Sequence, residues 1–426
     1  MSRLAVSIPR VHLLANGVTV ICDRAEGFET VALSVVAGRG ARWEAAGQSG
    51  WSHLLEHMVF KGAGARSARQ IVEAVEAEGG QINAATGHER ISFQVRALKA
   101  SLRLAVDLVA DLVQRPTLDA ADLEREKRIV AQELAEANDA PDDRVFEAAQ
   151  ACAFAAQALG RPILGSQDAV AGASPPALEA WRAAVFAPDR LVVSAAGAVD
   201  EGALLAAVEA AFGAAASPPP AAPADAVFVG GAVFEARRLE QAHLVFMLPA
   251  PGVLDADHFA LRLFSEMLGG GMASRLFQEA RERLGLAYAV DAFAETYADV
   301  GVLGVYAGCA ARDAGRLAEV AAGEIRALTR RVRPEELSRA KTQLKAGLLM
   351  AAESLASRAE QAAAQHLAFG RPLSAAELIA AIEAVSAADI GRIGERLTAP
   401  LLSAASVLGP AAAKDAPARF VAALAG

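Results

Sequence analysis

Two imidazoles stand four residues apart in the stretch Trp51-Ser52-His53-Leu54-Leu55-Glu56-His57-Met58-Val59-Phe60-Lys61-Gly62, with a carboxylate between them. On a helix, His53 and His57 lie one turn apart on the same face, a separation from which two ring nitrogens reach a single zinc ion. Glu56 falls on a neighbouring face, close enough to act on a water held by the metal without binding the metal itself. Written H-x-x-E-H, this is the inverted form of the H-E-x-x-H zinc motif. The same residues also spell an ordinary amphipathic helix, with Leu54, Leu55, Met58 and Val59 as the apolar stripe and the histidines on the polar side. The pentapeptide alone does not separate the two readings. A catalytic zinc takes three protein ligands and keeps one position for water, so a third ligand must come from elsewhere in the chain. No other histidine stands at ligand spacing from a partner. A helical stretch over 119–138, with Asp119 as its N-cap, offers Glu124, Glu126, Glu133 and Glu136, and an apolar stripe of Ile129, Val130 and Leu134. Spacing does not choose among the four carboxylates.

The elements around the motif follow from pattern. Residues 17–24 and 30–38 are rich in β-branched residues and flank a Glu-Gly turn, so they read as a pair of strands. A glycine-rich loop leads into the histidine helix. Residues 67–78 form a further helix that stops at Gly79-Gly80. Residues 81–96 read as a hairpin, in which Ile91, Phe93 and Val95 alternate with polar residues. Its first strand is short, polar and built of small residues. That composition suits an exposed edge that accepts an extended peptide at Asn83, Ala84 and Ala85. His88 falls at the turn and reads as a solvated turn histidine. Helices over 100–113, 119–138, 142–157 and 176–186 and a strand over 190–197 complete the first half.

Ala214 to Ala224 is a linker stiffened by proline. The order of elements then starts again: strands at 227–238 and 242–248, a helix at 257–268, Gly269-Gly270-Gly271, a short helix at 273–283, a β pair at 287–309, helices from 312 to 397 and a strand at 402–408. This is an internal duplication of long period. Three segments result: 1–213, a linker at 214–226, and 227–426. The counterpart of the histidine helix, Phe259 to Leu268, contains no histidine, and His258 has no second one nearby. The metal site belongs to the first half.

Composition bounds the function. With 426 residues, 54% hydrophobic and 21% charged, the chain is globular and large enough for two or three domains. A net charge of −9 argues against a nucleic-acid surface. No apolar run approaches the roughly 20 residues of a membrane span, and the first ten residues lack a secretory core. Cys22, Cys152 and Cys309 are few, odd in number and far apart, as expected of small buried residues in a reducing compartment. The cytoplasm is the expected location.

The segment Gly50 to Gly62 resembles the signature of the pitrilysin/insulysin family of zinc peptidases, and most of all its mitochondrial-processing-peptidase branch. In that family the third ligand is a Glu in a context like E-x-x-x-V-x-x-E-[IL] followed by D-x-P. This chain has Glu126-Lys-Arg-Ile-Val-Ala-Gln-Glu133-Leu, then Asp139-Ala-Pro141. The resemblance therefore implies Glu133 as the ligand and Glu126 as an accessory carboxylate. Gly79 to Ala84 resembles the family's substrate-binding edge, and Ser274 to Tyr288 its R-x-x-x-x-x-x-Y element, with Arg281 and Tyr288 reaching across a cleft to the substrate carbonyl. Trp51, Ala63 and the pair Arg90-Ile91 depart from the family's usual residues without removing a ligand.

The implied fold is α+β: two homologous α/β-roll domains, each a mostly antiparallel or mixed sheet flanked by helices, closing as a clam-shell around a cleft. The implied function is zinc-dependent hydrolysis of extended or unfolded peptides, with one zinc per chain on His53, His57 and Glu133. Glu56 is then the general base, and Arg281 and Tyr288 the oxyanion donors. A homodimer is expected, because one chain carries both the metal motif and the Arg/Tyr element. The alternatives are a non-catalytic core-type subunit of the same fold, as in respiratory complexes, and the catalytic half of a heterodimer. Retention of all four motif positions argues against the first.

Overall fold

The computed structural model describes residues 8–216 and 220–426. Two sequence expectations fall partly outside them: the N-terminal segment at residues 1–7 and the linker at 217–219. Contacts divide the chain into two compact units. One is built from the chain up to Leu134, Pro162–Pro223 and Leu348–Ala375; the other from Ala135–Arg161, Ala224–Gly347 and Ala376–Gly426.

The first unit holds β1 (Arg10–Leu13), β2 (Thr19–Arg24), β3 (Thr30–Ala37), β6 (Gln81–Thr86), β7 (Ile91–Leu98) and β8 (Leu191–Gly197). They form one sheet in the order β1-β2-β8-β3-β7-β6, while β4 (Gly62–Ala63) and β5 (Arg66–Ser67) make a separate small ladder. The expected pairing of β2 with β3 does not occur. β8 lies between them, parallel to β2 and antiparallel to β3. All seven residues of β8 are buried, so an interior position with a partner on each side satisfies its backbone, and residues 25–29 bridge the roughly 10 Å across it.

Alternation sends the two faces of this sheet to different partners. Val20, Leu33, Val35 and Phe93 join Leu54, Leu55 and Met58 of the histidine helix and Val106 and Val109 of helix Leu102–Gln114 in one core. On the other face, Ile21, Val36 and Val192 meet Ala362 and Ala363 of helix Leu355–Phe369. The small residues of that helix bring it close to the strands, and polar contacts fix its register. Arg358 grips buried Asp23 through two bonds of 2.7 and 2.6 Å. Glu360 accepts from Ser34 at 2.9 Å and from Gln94 at 2.8 Å.

The second unit holds β9 (Gly231–Ala236), β10 (Ala242–Pro251), β11 (Ala287–Thr296), β12 (Val300–Cys309) and β13 (Ala404–Gly409), in the order β11-β12-β10-β13-β9. With β13 parallel to β9 and the other neighbours antiparallel, this repeats the order β6-β7-β3-β8-β2 of the first sheet. Helix Pro141–Ala153 packs Val145, Ala149 and Ala153 against Val245, Met247 and Leu408. Each unit thus includes one helix from the opposite half of the sequence. Residues 277–283, expected as part of an ordinary helix, are wound as a π-helix. Ile129, expected in an apolar stripe, is 37% exposed; the buried positions of its helix are Leu123, Glu126 and Val130.

Cys22, Cys152 and Cys309 are free, and burial pushes the thiols of Cys22 and Cys309 up to about 11 and about 12. Among the described residues no helix is long and apolar enough to cross a membrane.

Replacing Arg358 with Ala removes the guanidinium from a carboxylate that is 3% exposed. The first unit should lose about 3 kcal/mol of stability, read as a lower urea midpoint, with Arg358→Lys recovering part of it.

Candidate metal centre

The histidine helix, Trp51–Val59, is held at its start by an unusual cap. Gly50 stands at φ 95°, where a side chain would be strained and a Cβ would lie 2.5 Å from the Leu164 carbonyl oxygen. The buried Glu44 carboxylate accepts from Gly50 N at 2.9 Å and from Ser52 N at 2.6 Å, placing a negative charge on the helix N-terminus. Trp51 donates to the Ala169 carbonyl at 2.9 Å and Trp181 to Ser52 at 3.3 Å. Leu54, Leu55, Met58 and Val59 are fully buried. The helix therefore cannot rotate, and His53, Glu56 and His57 face outward from the core, half-buried.

Helix Ala120–Asp139 supplies the facing carboxylates. Asp119 caps it, accepting from Ala121 N at 2.8 Å and Asp122 N at 3.1 Å. Glu124 and Glu136 are exposed, Glu133 is half-buried and Glu126 is 3% exposed. Glu133 Oε2 lies 3.7 Å from His53 Nε2 and 3.6 Å from His57 Nε2. The imidazole centroids are 4.6 Å apart with the rings tilted by 64°. Ligand atoms of His53, His57 and Glu133 all lie within 4.8 Å of one another, and among the described residues no other group of three or more His, Cys, Asp or Glu does so.

These three residues fit a zinc ion on three observations. Two Nε2 atoms and one carboxylate oxygen converge, the donor set of many catalytic zinc sites. Glu133 Oε2 is buried and has no hydrogen-bond donor. His53 is held neutral, because burial and then neighbouring His57 lower its pKa to about 4. A second layer orients the candidate ligands. His57 Nδ1 lies 3.1 Å from Glu126 Oε2, and the other oxygen of Glu126 pairs with Lys61 Nζ at 2.9 Å. A carboxylate on Nδ1 fixes the proton there and leaves Nε2 free to coordinate.

Glu56 stands beside this group. Its carboxyl is held above the ordinary range, chiefly by burial, against the opposing pull of a hydrogen bond from Thr86 and of His57. The Thr86 hydroxyl donates to Glu56 Oε2 at 2.5 Å. Asn83, Ala84 and Ala85 lie on β6, the last strand of its sheet, with Asn83 and Ala85 exposed and Ala84 packed against the core. Arg281 and Tyr288 lie in the second unit. Arg281 is exposed with its guanidinium 4.7 Å above the Phe277 ring, and Tyr288, 75% exposed, sits at a bulge that opens β11. His88 is half-buried in the turn between β6 and β7.

Three residues of the centre were not found by pattern. Lys61 stands inside the quoted motif, yet its partner Glu126 is distant in sequence. Thr86 ends a strand and carries no spacing signal. Glu44 caps a helix from outside the usual capping positions, so no local rule finds it.

Comparison with known proteins gives a consistent result. Residues 19–167 match the family described as insulinase (peptidase family M16), and residues 173–344 match the peptidase M16 inactive domain. The chain is 33% identical over 401 residues to an uncharacterized zinc protease of Rickettsia bellii, covering 94% of this chain and 97% of that one. It is 32% identical over 384 residues to an uncharacterized zinc protease of Bacillus subtilis, covering 90% and 94%. Its fold is similar to a protease from Helicobacter pylori, with a TM-score of 0.87 at 19% identity, covering 95% of this chain and all of that one. It is also similar to a chain of complex III2 from Candida albicans, with a TM-score of 0.84 at 18% identity over 97% and 99%.

The hydrogen-bond layer predicts graded losses of metal affinity. Glu126→Gln should weaken zinc binding by about 10- to 100-fold in a chelator competition, and Glu133→Gln by more, because one removes an orienting charge and the other a ligand.

Proposed function

The chain belongs to the insulinase family of zinc peptidases, family M16, and from that premise we propose that it hydrolyses peptide bonds in extended chains, with His53, His57 and Glu133 holding one zinc ion and Glu56 as general base. The observation that carries this reading is the buried, donor-free Oε2 of Glu133 facing two imidazole Nε2 atoms at 3.6 and 3.7 Å, with the Glu56 carboxylate on the same short helix. A zinc ion held there acts as a Lewis acid and lowers the pKa of a water towards neutrality.

The chain's own residues do the rest. Thr86 engages Glu56 Oε2, which leaves Oε1 to take the proton of the attacking water. Burial raises the Glu56 carboxyl, the direction that suits a group which takes a proton and later passes it to the leaving amine. Glu126 and Lys61 keep the His57 ring oriented throughout. Strand β6 ends its sheet with backbone groups unclaimed by a further strand. A peptide that pairs with it must be extended, and this favours unfolded chains over folded proteins. A homodimer is the proposed assembly.

Glu56→Gln should abolish cleavage of an unstructured peptide, by at least about 100-fold, while zinc content stays near one per chain. Wild-type protein that neither contains zinc nor takes up added zinc would overturn the reading. Sedimentation at micromolar concentration should give the mass of two chains; a fully active monomer would refute the dimer.

A further inference from the structure

We infer that Thr86 is a positioning residue for the reaction, its hydroxyl fixing the Glu56 carboxylate at the open end of β6. The inference rests on the reading of Glu56 as general base. Glutamate has three rotatable side-chain bonds, and on a half-buried helix face its carboxylate would otherwise sample several positions. The bond from Thr86 Oγ1 to Glu56 Oε2, 2.5 Å long, is in the range of hydroxyl–carboxylate pairs, which are stronger than neutral ones. Threonine is branched at Cβ, so its hydroxyl direction is set by the strand rather than by a free rotor.

The strand in turn is fixed. Gly87 N donates to Arg90 O at 2.7 Å, closing the hairpin turn. Gly87 O and His88 O accept from Ala41 N at 3.1 Å and Arg42 N at 2.8 Å, pinning the turn to the loop before the histidine helix. In an antiparallel ladder, hydrogen-bonded and non-hydrogen-bonded pairs alternate. With Gly87 bonded to Arg90, residues 85, 83 and 81 face β7, Ile82 and Ala84 turn their backbone groups to the open edge, and the Thr86 N–H on that edge is directed, like the hydroxyl, at Glu56. Thr86 is therefore the last edge-facing residue of the strand proposed to pair with substrate. It joins the surface that aligns a peptide to the carboxylate that acts on it. This is a role for the hydroxyl itself, distinct from the strand's shape and from the Thr86 backbone N–H, which every side-chain variant keeps.

The test compares Thr86→Val, which keeps the branched shape and strand preference but loses the donor, with Thr86→Ser, which keeps the donor. Kinetics on an unstructured peptide and zinc content are measured for both, with Glu56→Gln and the double variant alongside. Thr86→Val should lower kcat by roughly 10- to 100-fold with KM and zinc content unchanged, and Thr86→Ser should stay within about threefold of wild type. Thr86→Val should add nothing in the Glu56→Gln background. Full kcat in Thr86→Val, an equal fall in both Thr86 variants, or a rise in KM alone would overturn the inference while leaving Glu56 as base. Full activity in Glu56→Gln would overturn the base and the inference with it.

Discussion

Glu126 is the group on which the geometry of the candidate metal centre depends. A carboxylate so deeply buried costs several kcal/mol unless its charge is met, and both of its oxygens are met: one by His57 Nδ1, the other by Lys61 Nζ. All three residues belong to the first unit, but they stand on the acidic helix, the histidine helix and the turn that follows it. One buried charge thus ties the acidic helix to the histidine helix and sets the tautomer of a candidate ligand. Glu133, seven residues after Glu126, lies two turns further along the same face. Once Glu126 is seated, the direction of Glu133 follows.

The two units share one strand order, yet among the described residues only the first carries a cluster of side chains placed so that they could hold a metal. Where the first unit places His53 and His57 after β3, the second places helix His258–Gly269 after β10, with Arg262 and Glu266 on that helix. Close packing has taken over part of the counterpart: a Cβ on Gly269 would lie 2.3 Å from Ala292 N. The same scaffold hosts candidate ligands in one copy and tight helix–strand contact in the other, so the fold alone does not specify chemistry.

Much of this was legible in the chain because it is written locally. The histidine helix, the Asp119 cap and the hairpin at 81–96 rest on periodicity or turn chemistry within about 20 residues, and the recurrence of elements after the proline-rich segment is a comparison of such local readings between the two halves. What was not legible is non-local. The insertion of β8 between β2 and β3 joins residues some 170 positions apart, and no pattern within residues 17–38 encodes it. Helix Leu355–Phe369 reads as one more alanine-rich helix of the second half; its contacts, Arg358 against Asp23, Glu360 against Ser34 and Gln94, and Ala362 and Ala363 against Ile21, Val36 and Val192, show that it belongs to the first unit. The carboxylates of helix Ala120–Asp139 were separable by resemblance but not by spacing, because burial of Glu126 and exposure of Glu124 depend on what packs against them.

The edges of the two large sheets give an independent argument about β6. An edge strand offers unpaired backbone groups, and proteins commonly discourage pairing there with charged side chains or proline. Three of the four edges follow that practice. β1 carries Arg10 and His12, both paired with Glu201. β9 carries Glu235, held by Arg144 and Arg237. β11 carries Asp291 and Glu295. β6, with the sequence Gln-Ile-Asn-Ala-Ala-Thr, has no ionisable residue and no proline. Its small side chains leave room beside the backbone, and its polar ones keep it soluble without repelling a partner strand. If β6 were only structural, a charge at Gln81, Asn83 or Ala85, all exposed, would protect it at little cost. The edge that lacks protection is the one that ends at the carboxylate of Glu56, as the proposed pairing with an extended peptide requires.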